Sequence, residues 1–274
     1  AHPIFRDVVP ARARCDAFLG QALGFFVQES ADHADVDAER HIGTHTHHFD
    51  PTTNKANIVA GSSNPRHRIH GVYLLTREMA DTAALSAGVD AALRGGVRLL
   101  QYRDKSGDTG RHREQLQALR ELTRHHGAAL IVNDDVGLAA GCHADGVHLG
   151  EHDGDIAAAR ATLAPHAIIG ASCYNELRYA DTAARAGVDY LAFGAFFASG
   201  TKPAARRADV TLLHQSEHFG LPRVAIGGID AHNARPLIVA GAAAIAVLGA
   251  IWDAPDREAA ARALTQLFST PESP

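Results

Sequence analysis

From Gly71 onward one unit repeats: a short apolar, β-branched run followed by an Ala-, Leu- and Arg-rich stretch with helical period. That alternation is the signature of parallel βα units, and it constrains the fold more than any other feature of the chain. The spacing predicts strands at residues 72–76, 97–102, 128–133, 146–149, 167–172, 190–194, 223–226 and 244–248. Seven helical segments lie between them, and residues 256–268 supply an eighth. Gly95, Gly96, Gly127, Gly141, Gly187, Gly220 and Gly241 each fall after a helix and before a strand, where a left-handed C-cap is expected. Eight units in about 200 residues predict a (β/α)8 TIM barrel over residues 71–270. A doubly wound open sheet is the alternative, but no Gly-x-Gly-x-x-Gly turn follows the first strand.

Residues 1–70 lack this order and read as an irregular N-terminal extension, partly disordered, with a short helix over the apolar patch 18–27. His41, His45, His47 and His48 could hold a divalent metal, although alternating histidines in a polar tract bind loosely and carry no function by themselves. The missing initiator Met suggests a processed or truncated start.

At 46% hydrophobic residues the chain can bury a sizeable core, and its net charge of −5 argues against nucleic acid or an anionic membrane as partner. Cys15, Cys142 and Cys173 are scattered, without zinc or disulfide spacing. No apolar stretch reaches transmembrane length, and the first residues lack a signal-peptide pattern. The expectation is a cytoplasmic protein acting on small molecules; a homo-oligomer is left open.

In a barrel of this kind the chemistry sits after the strands. Those positions hold Tyr73 on strand 1; Gln101, Arg103 and Lys105 after strand 2; Asn133, Asp134 and Asp135 after strand 3; His148, Glu151 and Asp153 around strand 4; and Ser172 after strand 5. Ser199, Thr201 and Lys202 follow strand 6, Gly227 and Gly228 follow strand 7, and Gly249, Ala250 and Ile251 follow strand 8. Each has a plainer reading. Asn133 or Asp134 could cap the third helix, and Asp153 or the better-placed Asp155 the fourth. Residues 199–201 could be an ordinary turn and Lys202 solvated, Gly227-Gly228 only a tight turn, His148 a core histidine and Tyr73 packing. Combined, the plain readings weaken. Three cations suit a ligand with several phosphate oxygens. Two carboxylates from neighbouring strands suit Mg²⁺. Glycines after the last strands suit a phosphate cradle. No Cys or Ser nucleophile has a placed base, so the set looks built to stabilise a departing pyrophosphate.

Residues 71 to about 270 resemble the thiamine-phosphate synthase family. The resemblance rests on Gln101-Tyr102-Arg103-Asp104-Lys105, Asn133-Asp134-Asp135, the stretch from Gly146 to Asp153, the stretch from Gly194 to Lys202, and Ala225-Ile226-Gly227-Gly228-Ile229. It implies a transferase that joins hydroxymethylpyrimidine diphosphate to hydroxyethylthiazole phosphate. Arg103, Lys105, Lys202, Asn133 and Ser172 would hold the pyrophosphate, and Asp134 and Asp153 would hold Mg²⁺. Tyr73, Gln101 and His148 would meet the pyrimidine. Ser199, Thr201, Gly228 and the backbone of Gly249, Ala250 and Ile251 would hold the thiazole phosphate. Four positions depart from the family pattern: Ala198 for Pro, Ser199 for Thr, Glu151 for Gln and Gly249 for Ser. None removes a group needed for ionisation. The alternatives are a related barrel that rearranges a thiazole carboxylate phosphate, which generally lacks these lysines and paired aspartates, and a non-catalytic or regulatory phosphate-binding barrel.

Overall fold

The computed structural model describes residues 64–198 and 206–269. Contacts divide the chain into two units, 1–58 and 59–274, and every described residue lies in the second. The patch at 18–27 and the cluster His41, His45, His47 and His48 lie outside the described residues, as do Ser199, Thr201 and Lys202.

Eight parallel strands close into a (β/α)8 barrel in which β1 (Gly71–Leu75) pairs with both β2 (Leu99–Tyr102) and β8 (Ala244–Val247). The others are β3 (Ala129–Asn133), β4 (Gly146–Leu149), β5 (Ile168–Tyr174), β6 (Tyr190–Gly194) and β7 (Arg223–Ile226). The helices are α1 (Thr82–Arg94), α2 (Thr109–His125), α3 (Val136–Gly141), α4 (Ile156–Thr162), α5 (Leu177–Arg185), α6 (Thr211–Gln215), α7 (Ala234–Val239), α8 (Gly249–Trp252) and α9 (Arg257–Gln266). The short α8, directly after β8, adds one helix to the eight expected from the sequence.

Strand alternation divides the apolar residues between two cores. Leu74, Leu100, Leu130, Ile169 and Leu191 face outward against the helices, whereas Tyr73, Leu99, Ile131, Ile168, Tyr190 and Val224 fill the barrel interior. Each fully buried Leu or Ile contributes on the order of 1.5–3 kcal/mol. Helix starts are fixed by aspartates: Asp81, Asp108, Asp135, Asp155 and Asp256 accept first-turn N–H groups of α1, α2, α3, α4 and α9.

The glycine punctuation holds at Gly96, Gly127, Gly187, Gly220 and Gly241, all with positive φ. It fails at Gly95, which closes α1 in a right-handed conformation (φ −71°), and at Gly141, which is still inside α3. Cys142 caps that helix, and the left-handed residue falls at His143 (φ 52°).

The barrel floor repeats one device twice. Asp145 accepts the Leu130 N–H (2.8 Å) and pairs with Arg120 and Arg68. Asp189 accepts the Ile169 N–H (2.9 Å) and pairs with Arg160 and, at 3.8 Å, with Arg66. Burial would push the Asp145 carboxyl up, but the Leu130 N–H and Arg68 outweigh it and hold it below the usual range. Ile69, between the two arginines' segment and β1, is buried in the interior core. Three residues read from sequence as extension thus belong to the base of the barrel.

Candidate active site

At the carboxyl end of β2 the pleat sorts consecutive side chains. Gln101 turns inward and is buried, and its Nε2 donates to the Tyr73 hydroxyl (3.0 Å). Tyr102 turns outward and donates to Gln115 of α2 (2.9 Å). Past the strand, buried Thr76 grips the backbone of Arg103: its Oγ1 accepts the Arg103 N–H (2.8 Å) and donates to the Arg103 carbonyl (3.2 Å). Asp104 turns against Arg111 (3.0 Å) and His112 (3.3 Å) at the start of α2. Burial would raise its carboxyl, but hydrogen bonds from Ser106, Arg111 and His112 bring it to about 2. Beyond that anchor the Lys105 ammonium pairs with the Asp134 carboxylate, and Arg103 is half-buried.

The three residues ending β3 do different work. Asp135 is the cap of α3, accepting the Leu138 N–H (2.8 Å), so the capping role considered for Asn133 or Asp134 belongs to neither. Asp134 holds a left-handed backbone (φ 65°) and donates its N–H to the His148 carbonyl (2.8 Å). Asn133 is half-buried beside His148 in the β3–β4 register. After β4, Asp155 caps α4, which frees Asp153; its Oδ2 accepts the Gly150 N–H (2.9 Å). The Asp134 and Asp153 carboxyls act on one another electrostatically. Burial, and then the Asp153 carboxylate, raise Asp134 despite Lys105. Asp153 is pushed up by burial but drawn down further by Asp134 and the Gly150 N–H, and ends below its usual range. A cavity of about 240 Å³ opens beside this group, lined among others by Lys105, Asn133, Asp134 and His112.

Beneath it lies a buried polar chain. The Tyr73 and Tyr190 hydroxyls are 3.0 Å apart, Tyr190 Oη is 2.8 Å from His148 Nδ1, and His148 Nε2 is 2.9 Å from Ser172 Oγ. Burial pushes the His148 imidazolium pKa down to about 4, so the ring is neutral near pH 7. Glu151 turns aside: its Oε1 accepts the Tyr179 hydroxyl (3.0 Å), while its backbone N–H reaches the Tyr174 hydroxyl (3.4 Å).

On the far side, the Ala195 N–H donates to the Arg206 carbonyl (3.2 Å) and the Ala208 N–H to the Ala195 carbonyl (2.9 Å), closing the base of the β6–α6 loop. Arg206 pairs with Glu176 (2.9 Å). Gly228 (φ 63°) must be glycine, because a Cβ there would lie 2.3 Å from the Ala198 carbonyl. In the α8 turn the Ile251 N–H is donated to Leu248 (3.1 Å), which leaves Gly249 and Ala250 as the turn's leading N–H groups.

The structure therefore gathers Tyr73, Gln101, Lys105, Asn133, Asp134, His148, Asp153 and Ser172 at the mouth of β1–β5 and its lining. Sequence reasoning missed Thr76, Asp104, Glu176 and Tyr190. Thr76 and Tyr190 read as ordinary strand residues, whereas strand alternation, which turns Asp104 to the opposite side from Gln101, Arg103 and Lys105, could have revealed the latter.

The thiamine monophosphate synthase family profile matches residues 72–251. Among curated relatives, the thiamine-phosphate synthase of Thiobacillus denitrificans is 56% identical over 200 residues, covering 73% of this chain and 95% of the relative. That of Chromobacterium violaceum is 54% identical over 201 residues, covering 73% and 97%. Among solved structures, the thiamine phosphate pyrophosphorylase of Pyrococcus furiosus superposes with a TM-score of 0.67 at 35% identity, covering 75% of this chain and 98% of its own. With an eight-stranded barrel, an acid pair beside a lysine, and relatives matched over nearly their whole length, the chain belongs to the thiamine monophosphate synthase family.

Proposed function

We propose that this barrel joins hydroxymethylpyrimidine diphosphate to hydroxyethylthiazole phosphate, releasing thiamine phosphate and pyrophosphate. One observation carries the reading: the loops after β2, β3 and β4 bring Lys105, Asp134 and Asp153 close enough to act on one another's charge, and Thr76 fixes the backbone of Arg103 at the end of β2. Two neighbouring carboxylates repel unless a cation joins them, and two are too few to enclose a metal alone. Among the described residues no group of three or more His, Cys, Asp or Glu could hold an ion. The pair fits a hard divalent cation, Mg²⁺, completed by phosphate oxygens and water. Bound there, Mg²⁺ would supply neutralisation of the charge that grows on the leaving pyrophosphate.

The protein's own groups do the rest. Arg103, Lys105, Asn133 and Ser172 would bind the diphosphate, joined by Lys202 from the β6–α6 loop. Gln101, with Tyr73 and His148 beneath it, would form the floor under the pyrimidine. Ser199, Thr201, Gly228 and the Gly249 and Ala250 N–H groups would hold the thiazole phosphate. The bond between the pyrimidine methylene carbon and the pyrophosphate oxygen breaks, and its electron pair leaves with pyrophosphate. The thiazole nitrogen then gives its lone pair to the methylene cation. A neutral His148 adds no positive charge near that cation. The pairing of Lys105 with the acid pair disfavours the rearranging relative, which has no leaving group to stabilise. No described helix is long and apolar enough to cross a membrane, in keeping with a cytoplasmic site of action.

The test is incubation of the full chain with both substrates and Mg²⁺. Thiamine phosphate and pyrophosphate should appear in equal amounts; binding of both substrates without product would refute the transferase reading.

A further inference from the structure

We propose that Tyr190 is a positioning residue that fixes the proton on His148 and so aims the Ser172 hydroxyl outward, at the departing anion. The inference rests on the reading of Ser172 as an anion contact and concerns how its hydroxyl is oriented.

The chain runs Gln101 Nε2, Tyr73 Oη, Tyr190 Oη, His148 Nδ1, then His148 Nε2 to Ser172 Oγ, with successive separations of 3.0, 3.0, 2.8 and 2.9 Å. Gln101 enters as a donor, so the Tyr73 oxygen already accepts one hydrogen bond. Tyr73 and Tyr190 are both buried, and each hydroxyl has a single proton to place. If Tyr73 donates to Tyr190, then Tyr190 donates to His148 Nδ1. His148 carries its proton on Nε2 and gives it to Ser172 Oγ. Every buried donor then has an acceptor, and the Ser172 proton is left for a group above it. In the reverse direction Tyr190 donates to Tyr73, and the Tyr73 proton has no acceptor in the chain. Ser172 would then spend its proton on His148 and turn a lone pair toward the anion. Buried donors are rarely left unmatched, so the first direction holds.

The surroundings of Tyr190 fit a fixed hydroxyl. Its ring stacks on His148 (centroids 5.5 Å apart, planes at 21°) and meets Tyr73 edge-on (6.1 Å, 81°). The adjacent strand position is Gly170, where a Cβ would stand 1.9 Å from the Tyr190 ring. The ring occupies the space that any side chain at Gly170 would need, and its hydroxyl cannot swing off His148. A phenylalanine would fill the same volume, so packing alone does not account for the hydroxyl.

A double-mutant cycle on the full chain tests this, with Tyr190→Phe, Ser172→Ala and the pair assayed for thiamine phosphate formation. Tyr190→Phe should lower kcat by about 10- to 100-fold, the worth of one hydrogen bond to a charged group. KM for the pyrimidine diphosphate should change by less than about threefold. In the Ser172→Ala background the same substitution should cost almost nothing further, because it acts through a hydroxyl already gone. Multiplying losses would overturn the proposal while sparing the role of Ser172. An unchanged kcat for Ser172→Ala alone would overturn both. Independently of folding by the variants, ¹⁵N spectra of histidine-labelled wild-type protein should show His148 protonated on Nε2; protonation on Nδ1 would reverse the chain and refute the proposal.

Discussion

Asp134 pairs with the Lys105 ammonium from a left-handed backbone conformation, φ 65°, with the Asp153 carboxylate acting on it as a like charge. A non-glycine residue in that region costs on the order of 1 kcal/mol, and the like charge adds to it. A residue kept for stability would not be placed so. Asp134→Gly removes both penalties but also the part-exposed ion pair with Lys105, worth up to about 1 kcal/mol, and should leave the melting temperature within about 4 °C of the wild type. The same change should reduce turnover at least about a hundredfold, as expected for loss of a metal-site group. Calorimetric melting together with the product assay checks both; a folded variant with full activity would place the acid pair outside the reaction.

His148 makes stability depend on pH in a predictable direction. Burial lowers its pKa from 6.5 in the unfolded chain to about 4 in the fold. Between those values the unfolded state binds the extra proton, so stability rises with pH. The contribution is whole above about pH 6.5, is lost as pH falls toward 4, and changes no further below. Two and a half pKa units correspond to about 3 kcal/mol. Carboxylates held below their usual range, such as Asp104 and Asp145, add a slope of the same sign at lower pH. Urea unfolding of wild type and His148→Gln at pH 4–8 isolates the histidine: the difference between their pH profiles should be confined to about pH 4–6.5. Parallel profiles would mean that His148 is not buried as a neutral ring.

Glu151, where the family pattern has Gln, adds a charge three positions after His148 and close in sequence to Asp153. Its carboxylate is taken up by the Tyr179 hydroxyl (3.0 Å) and directed away from the acid pair. Glu151→Gln should leave the Mg²⁺ concentration for half-maximal activity unchanged within about twofold, whereas Asp153→Ala should raise it by about 10- to 100-fold. A metal titration of both variants distinguishes the two positions.

The base of the barrel begins before β1. Ile69 is buried in the interior core and Arg68 pairs with Asp145 at 2.8 Å. Removal of residues 1–63 keeps both of these contacts. Removal of residues 1–69 should cost about 2–3 kcal/mol, chiefly the burial of Ile69. Ile69→Ala in the full chain should reproduce most of that loss in denaturant unfolding. Equal stability of the two truncated chains would show that Ile69 contributes nothing.

How much of this was legible follows from which physical signal each residue carries. The eight strands could be read because apolar runs of strand length alternate with helical period, and the observed ends differ from expectation by at most two residues. The polar residues after the strands could be read because the barrel assigns chemistry to that face. What sequence could not settle was which of several adjacent aspartates performs which task. Asn133, Asp134 and Asp135 are equivalent as caps until the backbone places Asp135 at the start of α3 and turns Asp134 left-handed. Tyr190 was illegible for another reason: a tyrosine opening a strand looks like core, and only closure of the barrel sets it between Tyr73 and His148. Ile69 was hidden by its polar neighbours Arg66, His67, Arg68 and His70.

The central claim is that the β2–β4 loops clamp a metal-bound pyrophosphate. Calorimetric titration of inorganic pyrophosphate into the full chain, with and without Mg²⁺, tests it most directly. Binding should be at least about tenfold tighter with Mg²⁺, equivalent to about 1.4 kcal/mol. That gain should disappear in Asp134→Ala and Asp153→Ala, while Lys105→Ala should weaken binding in both conditions. Equal affinity with and without Mg²⁺ in the wild-type protein would contradict the account.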